Sequence, residues 1–313
     1  MRVKTLVVPV ALCISLWVAD AGAQAWLPPK GEATLALGFL HTSANEHLNY
    51  QGNPVSPGDM IWNNVVSDLN YGVTDRLAIR LNVPFVISKY DGSFPHPPVA
   101  GQANLDDGNW HSTFQDLLAE VRFRATQGSI AVTPFVALTV PTNFYEYYGH
   151  AAPGRKLVEG QVGVAAARLL DPILPNAYVQ VQYMFGVPEK VMGISHNRSQ
   201  VTFETGYLLG PTLTVRAIGS WQKSHGGWRA PIDFPANTSP GFHVHDQVIR
   251  NSYLRLGGGV SYSLTGSLDV NVFGYGTLSG KNDLNTKGLG MSLTWSASPA
   301  QLIKKKRGQE PPQ

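Results

Sequence analysis

The chain has 313 residues, 14% of them charged, with 32 glycines, 22 prolines, one cysteine and a net charge of +3. Charged residues are well below the roughly 25% of ordinary soluble domains, and the near-neutral balance offers no basic surface for nucleic acid. The single cysteine, Cys13, excludes an internal disulfide framework.

Residues 1–25 read as a secretory signal peptide. Arg2 and Lys4 form a basic start, Leu6 to Val18 is apolar but too short to span a bilayer, and small residues follow from Ala21 to Ala25. Cleavage is expected after Ala25 or Ala23. A lipoprotein reading of Cys13 is disfavoured because Leu12 is too bulky for the position before a lipidated cysteine.

Beyond the leader the dominant pattern has a period of two. Strands are predicted at 31–42, 60–72, 76–87, 112–125, 129–140, 157–169, 176–187, 198–209, 211–222, 249–263, 267–279 and 286–296, an even number, as in single-chain bacterial barrels. Within 76–87, Leu77, Ile79, Leu81, Val83 and Phe85 share one face. Leu117, Ala119, Val121 and Phe123 do so in 112–125, and Leu289, Met291, Leu293 and Trp295 in 286–296. Each apolar face runs for about five alternate residues, which matches a tilted span of about 9–11 residues. Aromatic residues gather near strand ends (Tyr71, Phe85, Tyr207, Trp221, Tyr262, Trp295), where an interfacial girdle belongs.

Connections alternate between tight (72–75, 126–128, 170–175, 209–211, 264–266) and long (43–59, 88–111, 141–156, 188–197, 223–248, with a shorter one at 280–285). Short periplasmic turns and long extracellular loops are the layout of an outer-membrane barrel. A soluble two-sheet sandwich explains the alternation of side chains equally well, but not that of the loops. The expectation is therefore one all-β domain, an antiparallel transmembrane barrel over 26–297 in the bacterial outer membrane. It is followed by a basic, disordered periplasmic tail at 298–313 that contains Lys304 to Arg307.

Parity places a balanced set of charges inside: Asp68, Arg80, Asp116, Glu120, Arg122, Arg124, Glu159, Arg198, Glu204, Arg216, Arg255 and Asp269. In a confined lumen such charges pair or stay hydrated, because an isolated desolvated charge costs several kcal/mol. They form either a structural ladder or the constriction of a solute path. Their neutral sum argues against a single-sign selectivity ring.

The segments "SDLNYGVTDRLAIRLNVPFV" (67–86), "STFQDLLAEVRFRA" (112–125) and "VALTVPTNFYE" (136–146) resemble the outer-membrane proteins named for the meta-pathway of phenol degradation. Asp116 falls on that group's Gly-Asp position, with Gln115 in place of the glycine, and Asn143 stands where the group has Gly after Pro-Thr. The resemblance covers roughly 31–296. It implies a channel for small, often aromatic or hydrophobic, organic solutes in a Gram-negative outer membrane. Partners would be lipid, the solute and the barrel-assembly machinery during insertion, with no cofactor and no chemical step.

Three other constellations invite chemistry. His41 and Ser43 share the lipid-side parity of Leu35, Leu37 and Phe39, with Asn63 at matching parity on the next strand, so a lipid hydrolase is the alternative enzyme reading. A structural barrel without a conduit is a further alternative. His243-Val244-His245-Asp246 offers two imidazoles and a carboxylate, but with no further ligand evident except His225 it reads as solvated loop, and no metal site is assigned. Asp106-Asp107-Gly108-Asn109 lacks calcium-loop spacing. The aromatics Trp228, Phe234 and Phe242 are expected to pack the longest loop onto itself.

Overall fold

Side chains that alternate between apolar and polar build twelve antiparallel strands closed into one ring. The computed structural model describes residues 25–56, 58–236 and 239–297. The predicted leader (Ala25 apart) and the basic tail lie outside them. The strands are β1 (Ala33–Ala44), β2 (Asp59–Thr74), β3 (Leu77–Asp91), β4 (His111–Phe114 and Asp116–Phe123), β5 (Ile130–Pro141) and β6 (Glu159–Leu169). They continue as β7 (Ala177–Pro188), β8 (His196–Leu208), β9 (Leu213–Gly226), β10 (Ser252–Thr265), β11 (Leu268–Lys281) and β12 (Lys287–Ala297). Each pairs with its sequence neighbours, and β1 closes the ring on β12 in continuous register from Ala33↔Ala297 to Ser43↔Lys287. Among the described residues no helix is long and apolar enough to cross a membrane, so the crossing is made by strands.

The apolar face points outward. Leu37, Phe39, Val65, Ile79, Leu81, Val121, Val136, Val162, Val260, Met291 and Leu293 are exposed around the wall, whereas their inward neighbours Leu40, Val66, Ala78, Glu120, Arg122 and Ser292 are buried. A soluble sandwich would show the reverse. Tyr207, Tyr262 and Trp295 sit exposed near the short-turn ends of their strands, as an interfacial girdle requires.

Most predicted boundaries shift by a few residues, and two differences have structural reasons. Strand β4 is one residue out of step: Phe85 pairs with Phe114 but Asn82 with Leu118. Gln115 is the extra residue of a bulge. It lets Phe114 point outward while Asp116 faces in, which unbroken alternation forbids. The second difference lies before β10. A 3-10 turn (Pro240–Val244) and a helical turn (His245–Val248) run up to its predicted start at 249, and the strand begins at Ser252.

Both mouths of the barrel are covered. At the long-loop end, inward residues of the wall (Ala44, Met60, Trp62, Val86, Tyr90) and loop residues (Leu105, Ala151, Ala152, Ala230, Ile249, Leu284) form one buried cluster, against which Phe234 packs. Trp62 Nε1 donates to the Ala152 carbonyl at 3.2 Å, and Ser88 Oγ donates to that of Ala151 at 2.6 Å. A small sheet of His47–Leu48, Pro54–Val55 and Asp283–Leu284 ties two further loops together.

At the short-turn end, residues 25–32 cross the mouth. Gly31 N donates to Gly72 O, and Gly72 N donates to Glu32 O. The Ala25 carbonyl accepts from buried Thr133 Oγ1 at 2.7 Å on β5, and the Trp26 ring meets Tyr178 on β7 edge-on at 5.9 Å. A side chain at Gly72 would strike the carbonyls of Pro28 and Pro29, so this close approach requires glycine.

Two measurements check this architecture. A short epitope inserted in the loop spanning 226–252 will be labelled on intact cells, whereas one between Thr265 and Leu268 will not. Leu81→Arg, on the lipid face near mid-strand, is expected to cost about 2–4 kcal/mol in lipid refolding, while Leu81→Val folds like the wild type.

Candidate functional site

Of the charges named from parity, Asp68, Glu120, Arg122, Glu159, Glu204, Arg216 and Arg255 are buried, and strand register decides which of the set meet. Opposite pairing of Asp68 with Asn82 and of Asn70 with Arg80 puts four polar side chains on one patch of the inner wall. Asp68 there accepts from Arg80 Nε at 2.8 Å and Nη2 at 2.6 Å, from Asn82 at 2.7 Å and from Asn70 at 2.8 Å. Glu120 lies opposite Arg80 in register and is ion-paired with Arg122 two residues along β4. The Arg122 guanidinium also sits 5.8 Å from the Phe135 ring centre.

Further round the ring, Glu159 pairs with Arg198 at 2.9 Å and with Arg155, a loop residue, at 3.2 Å. Gly186 makes room for that carboxylate, since a Cβ there would collide with it. Glu204 accepts from Tyr178 at 2.5 Å, Gln180 at 3.2 Å and Arg216 at 3.4 Å. Arg255 reaches Asp283 at 3.0 Å and lies 3.9 Å over the Tyr253 ring, and Asp116 accepts from Tyr145. Two predicted lumen residues stand apart from these pairs. Arg124 donates to the Thr126 carbonyl at the short-turn end of β4, and Asp269 sits at the same end of β11 opposite Thr294.

These side chains fill the lumen. Arg122 is 1% exposed and Glu120 4%, and an apolar group of Leu40, Ile218, Phe273 and Tyr275 is buried beside them. Water in an open pore would leave such groups accessible. Cavities lie towards both ends. A cavity of about 310 Å³ between the loops 91–111 and 141–159 is lined by Leu105, Phe144 and Tyr145 together with His111, Thr113 and Asn143. A recess of about 340 Å³ at the other end is lined by Trp26, Tyr178, Leu208 and Arg216.

The long loops bring together a group that reading the chain residue by residue misses. His96, Asp106, His150, His245 and Asp246 are all buried and adjoin one another. Burial by itself would raise the Asp106 carboxyl, but hydrogen bonds from His150 and His96, each 2.7 Å, outweigh it and hold its pKa below the ordinary carboxylate value. Burial lowers His150, against the opposing hydrogen bond to Asp106. The expectation that His245 and Asp246 belong to a solvated loop is therefore corrected, because the helical turn carries them inward. Phe242, on the preceding turn, is buried against His245, in keeping with the loop packing onto itself. A signal for this cluster did exist: all nine histidines of the chain fall at or near the long-loop end of the barrel.

The predicted lipid-side pair is partly assembled. His41 Nδ1 and Asn63 Oδ1 lie 2.8 Å apart on the exposed face, in direct register across β1 and β2. Ser43 shares that face of β1.

No protein-family model and no curated protein matches the chain. Solved structures do match it. An outer membrane channel from Pseudomonas putida F1 superposes with a TM-score of 0.66 at 14% identity, covering 90% of this chain and 100% of that one. This chain has the fold of an outer-membrane β-barrel. The NanC porin is more distant, at a TM-score of 0.48 and 9% identity over 83% of this chain and 98% of that one. At such identities the likeness is one of fold.

The lumen pairs have an energetic signature. Glu120→Ala deprives a buried guanidinium of its carboxylate and is expected to cost about 3–5 kcal/mol, whereas Glu120→Ala with Arg122→Ala costs less than the single change. Urea unfolding in lipid vesicles distinguishes the two outcomes.

Proposed function

We propose that the chain is a channel for small organic solutes, closed at rest. The observation that carries this reading is a sealed barrel with a polar, charge-balanced interior, whose two mouths are covered by chain segments rather than by strands. A purely structural barrel needs no polar lumen and no covering segments. The neutral interior favours uncharged or amphiphilic molecules over ions. The loop cavity, lined by Leu105 and Phe144 together with Thr113 and Asn143, suits a ring bearing a polar substituent. The resemblance to the phenol meta-pathway group points to the same class, aromatic or hydrophobic compounds. In this reading the leader is removed on export by cleavage after Ala23, which keeps the Ala25 carbonyl on Thr133, the barrel-assembly machinery inserts the rest, and the tail from residue 298 stays in the periplasm.

Planar-bilayer conductance and uptake of a labelled aromatic compound test this together. The Glu120→Ala, Arg122→Ala variant is expected to conduct more than the wild type, and cells with the wild-type protein to take up the compound faster than cells lacking it. Equality in both comparisons sinks the channel reading. The bonded His41–Asn63 pair favours one second reading, hydrolysis of lipid acyl esters with Ser43 as nucleophile. Acyl release by the wild type that Ser43→Ala abolishes would put it in first place.

A further inference from the structure

The buried cluster at the long-loop end has the build of a metal site. Asp106 is an acceptor only, so the Nδ1 atoms of His96 and His150, each 2.7 Å from its Oδ2, are both donors. Its other oxygen takes the Ala151 N–H at 3.2 Å. The Nδ1 of His245 faces the Phe242 carbonyl at 2.5 Å and must also donate. With both Nδ1 positions committed, the lone pairs of His96 and His245 lie on Nε2. Those two nitrogens face each other at 3.3 Å from rings stacked at 14°. The Asp246 carboxylate completes the group with both oxygens, Oδ1 at 3.0 Å from His245 Nε2 and Oδ2, which also takes the Gly149 N–H, at 3.7 Å from His96 Nε2.

Two imidazole lone pairs and a carboxylate that converge in a buried pocket repel one another unless a proton or a metal cation lies between them. The spacing says which kind. Ligands held tetrahedrally at about 2.0–2.1 Å from zinc are about 3.3–3.4 Å apart, which is the separation of the two Nε2 atoms, and each nitrogen has an Asp246 oxygen within 3.0–3.7 Å. Oxygen-seeking calcium and magnesium do not choose an imidazole-rich set. The surroundings match as well: each ligating histidine is oriented by a hydrogen bond from its far nitrogen, to Asp106 in one case and to a backbone carbonyl in the other. A second observation points the same way. His150, held on Asp106, leaves its buried Nε2 without a hydrogen-bond partner beside the group.

We propose that His96, His245 and Asp246 bind one zinc ion, with Asp106 as the positioning carboxylate, and that the ion staples the loop 91–111 to the loop 226–252 across the mouth of the barrel. The fourth coordination position is left to water or to a group of the solute. Metal binding does not depend on the channel reading, and failure of either leaves the other standing.

The test uses tag-free, full-length protein in detergent, stripped with chelator and titrated with zinc sulfate. Barrel folding of every variant is checked by its heat-dependent migration on gels. Wild type is expected to retain one zinc per chain through gel filtration, and His245→Ala and Asp246→Asn to lose it. Asp106→Asn should bind about 10–100-fold more weakly, and His225→Ala, at the same end of the barrel, should bind as wild type does. With zinc at ten times its Kd, proteolysis of the loop 226–252 should slow about tenfold in wild type and not at all in His245→Ala. Folded wild type that retains no stoichiometric zinc overturns the site. So does a folded His245→Ala, Asp246→Asn double variant that binds zinc as wild type does.

Discussion

Closure of the backbone hydrogen-bond ladder between β1 and β12 is the constraint from which the rest follows. In hydrocarbon an unpaired amide or carbonyl costs several kcal/mol, so the first strand and the last must find each other. They do so in unbroken register from Ala33↔Ala297 to Ser43↔Lys287. Once the ring is shut, every strand has an inside and an outside, and the period of two sorts its residues between them. Leu37 and Phe39 go to lipid, and Leu40 and Thr42 go to the lumen.

That sorting creates a second problem, which the interior solves locally. Polar side chains concentrated in a narrow space lose water, so buried acids are held by donors from their own and neighbouring strands: Asp68 by Arg80 and two asparagines, Glu204 by Arg216, Tyr178 and Gln180. Where the partners lie on different strands, as in Asp68–Arg80, Glu204–Arg216 and Glu159–Arg198, they tie the wall together circumferentially. A path through such a lumen depends on moving side chains and covering segments, which is why the proposed channel is closed at rest.

How much of this was legible depends on the range of the interaction. Leu77 to Phe85 announces a strand and its faces within nine residues, and the balanced inward charges follow from parity alone. The His41–Asn63 contact was also foreseeable, since adjacent strands with similar alternation bring matching parities together. The bulge at Gln115 was not, because its effect on the facing of Phe114 and Asp116 depends on β3 as partner. The histidine cluster is the extreme case. His96, His150 and His245 lie on three separate loops, and no periodicity relates residues that meet only after the barrel has closed. His245 was further disguised by its place in a long polar loop, where a single helical turn carries it inward.

The buried cluster shared by wall and loops has a mechanical consequence. A lid that swings on a hinge must part along a surface that tolerates water. Here Trp62, Tyr90 and Met60 of the wall and Leu105, Ala151 and Leu284 of the loops belong to one apolar group. Parting them exposes that group on both sides at about 25 cal/mol for each Å². Opening of this mouth is then a local unfolding of the loops, with a free energy set by their burial. Amide protons of residues 91–111 and 226–252 would exchange through that event together, as one cooperative unit distinct from the barrel wall.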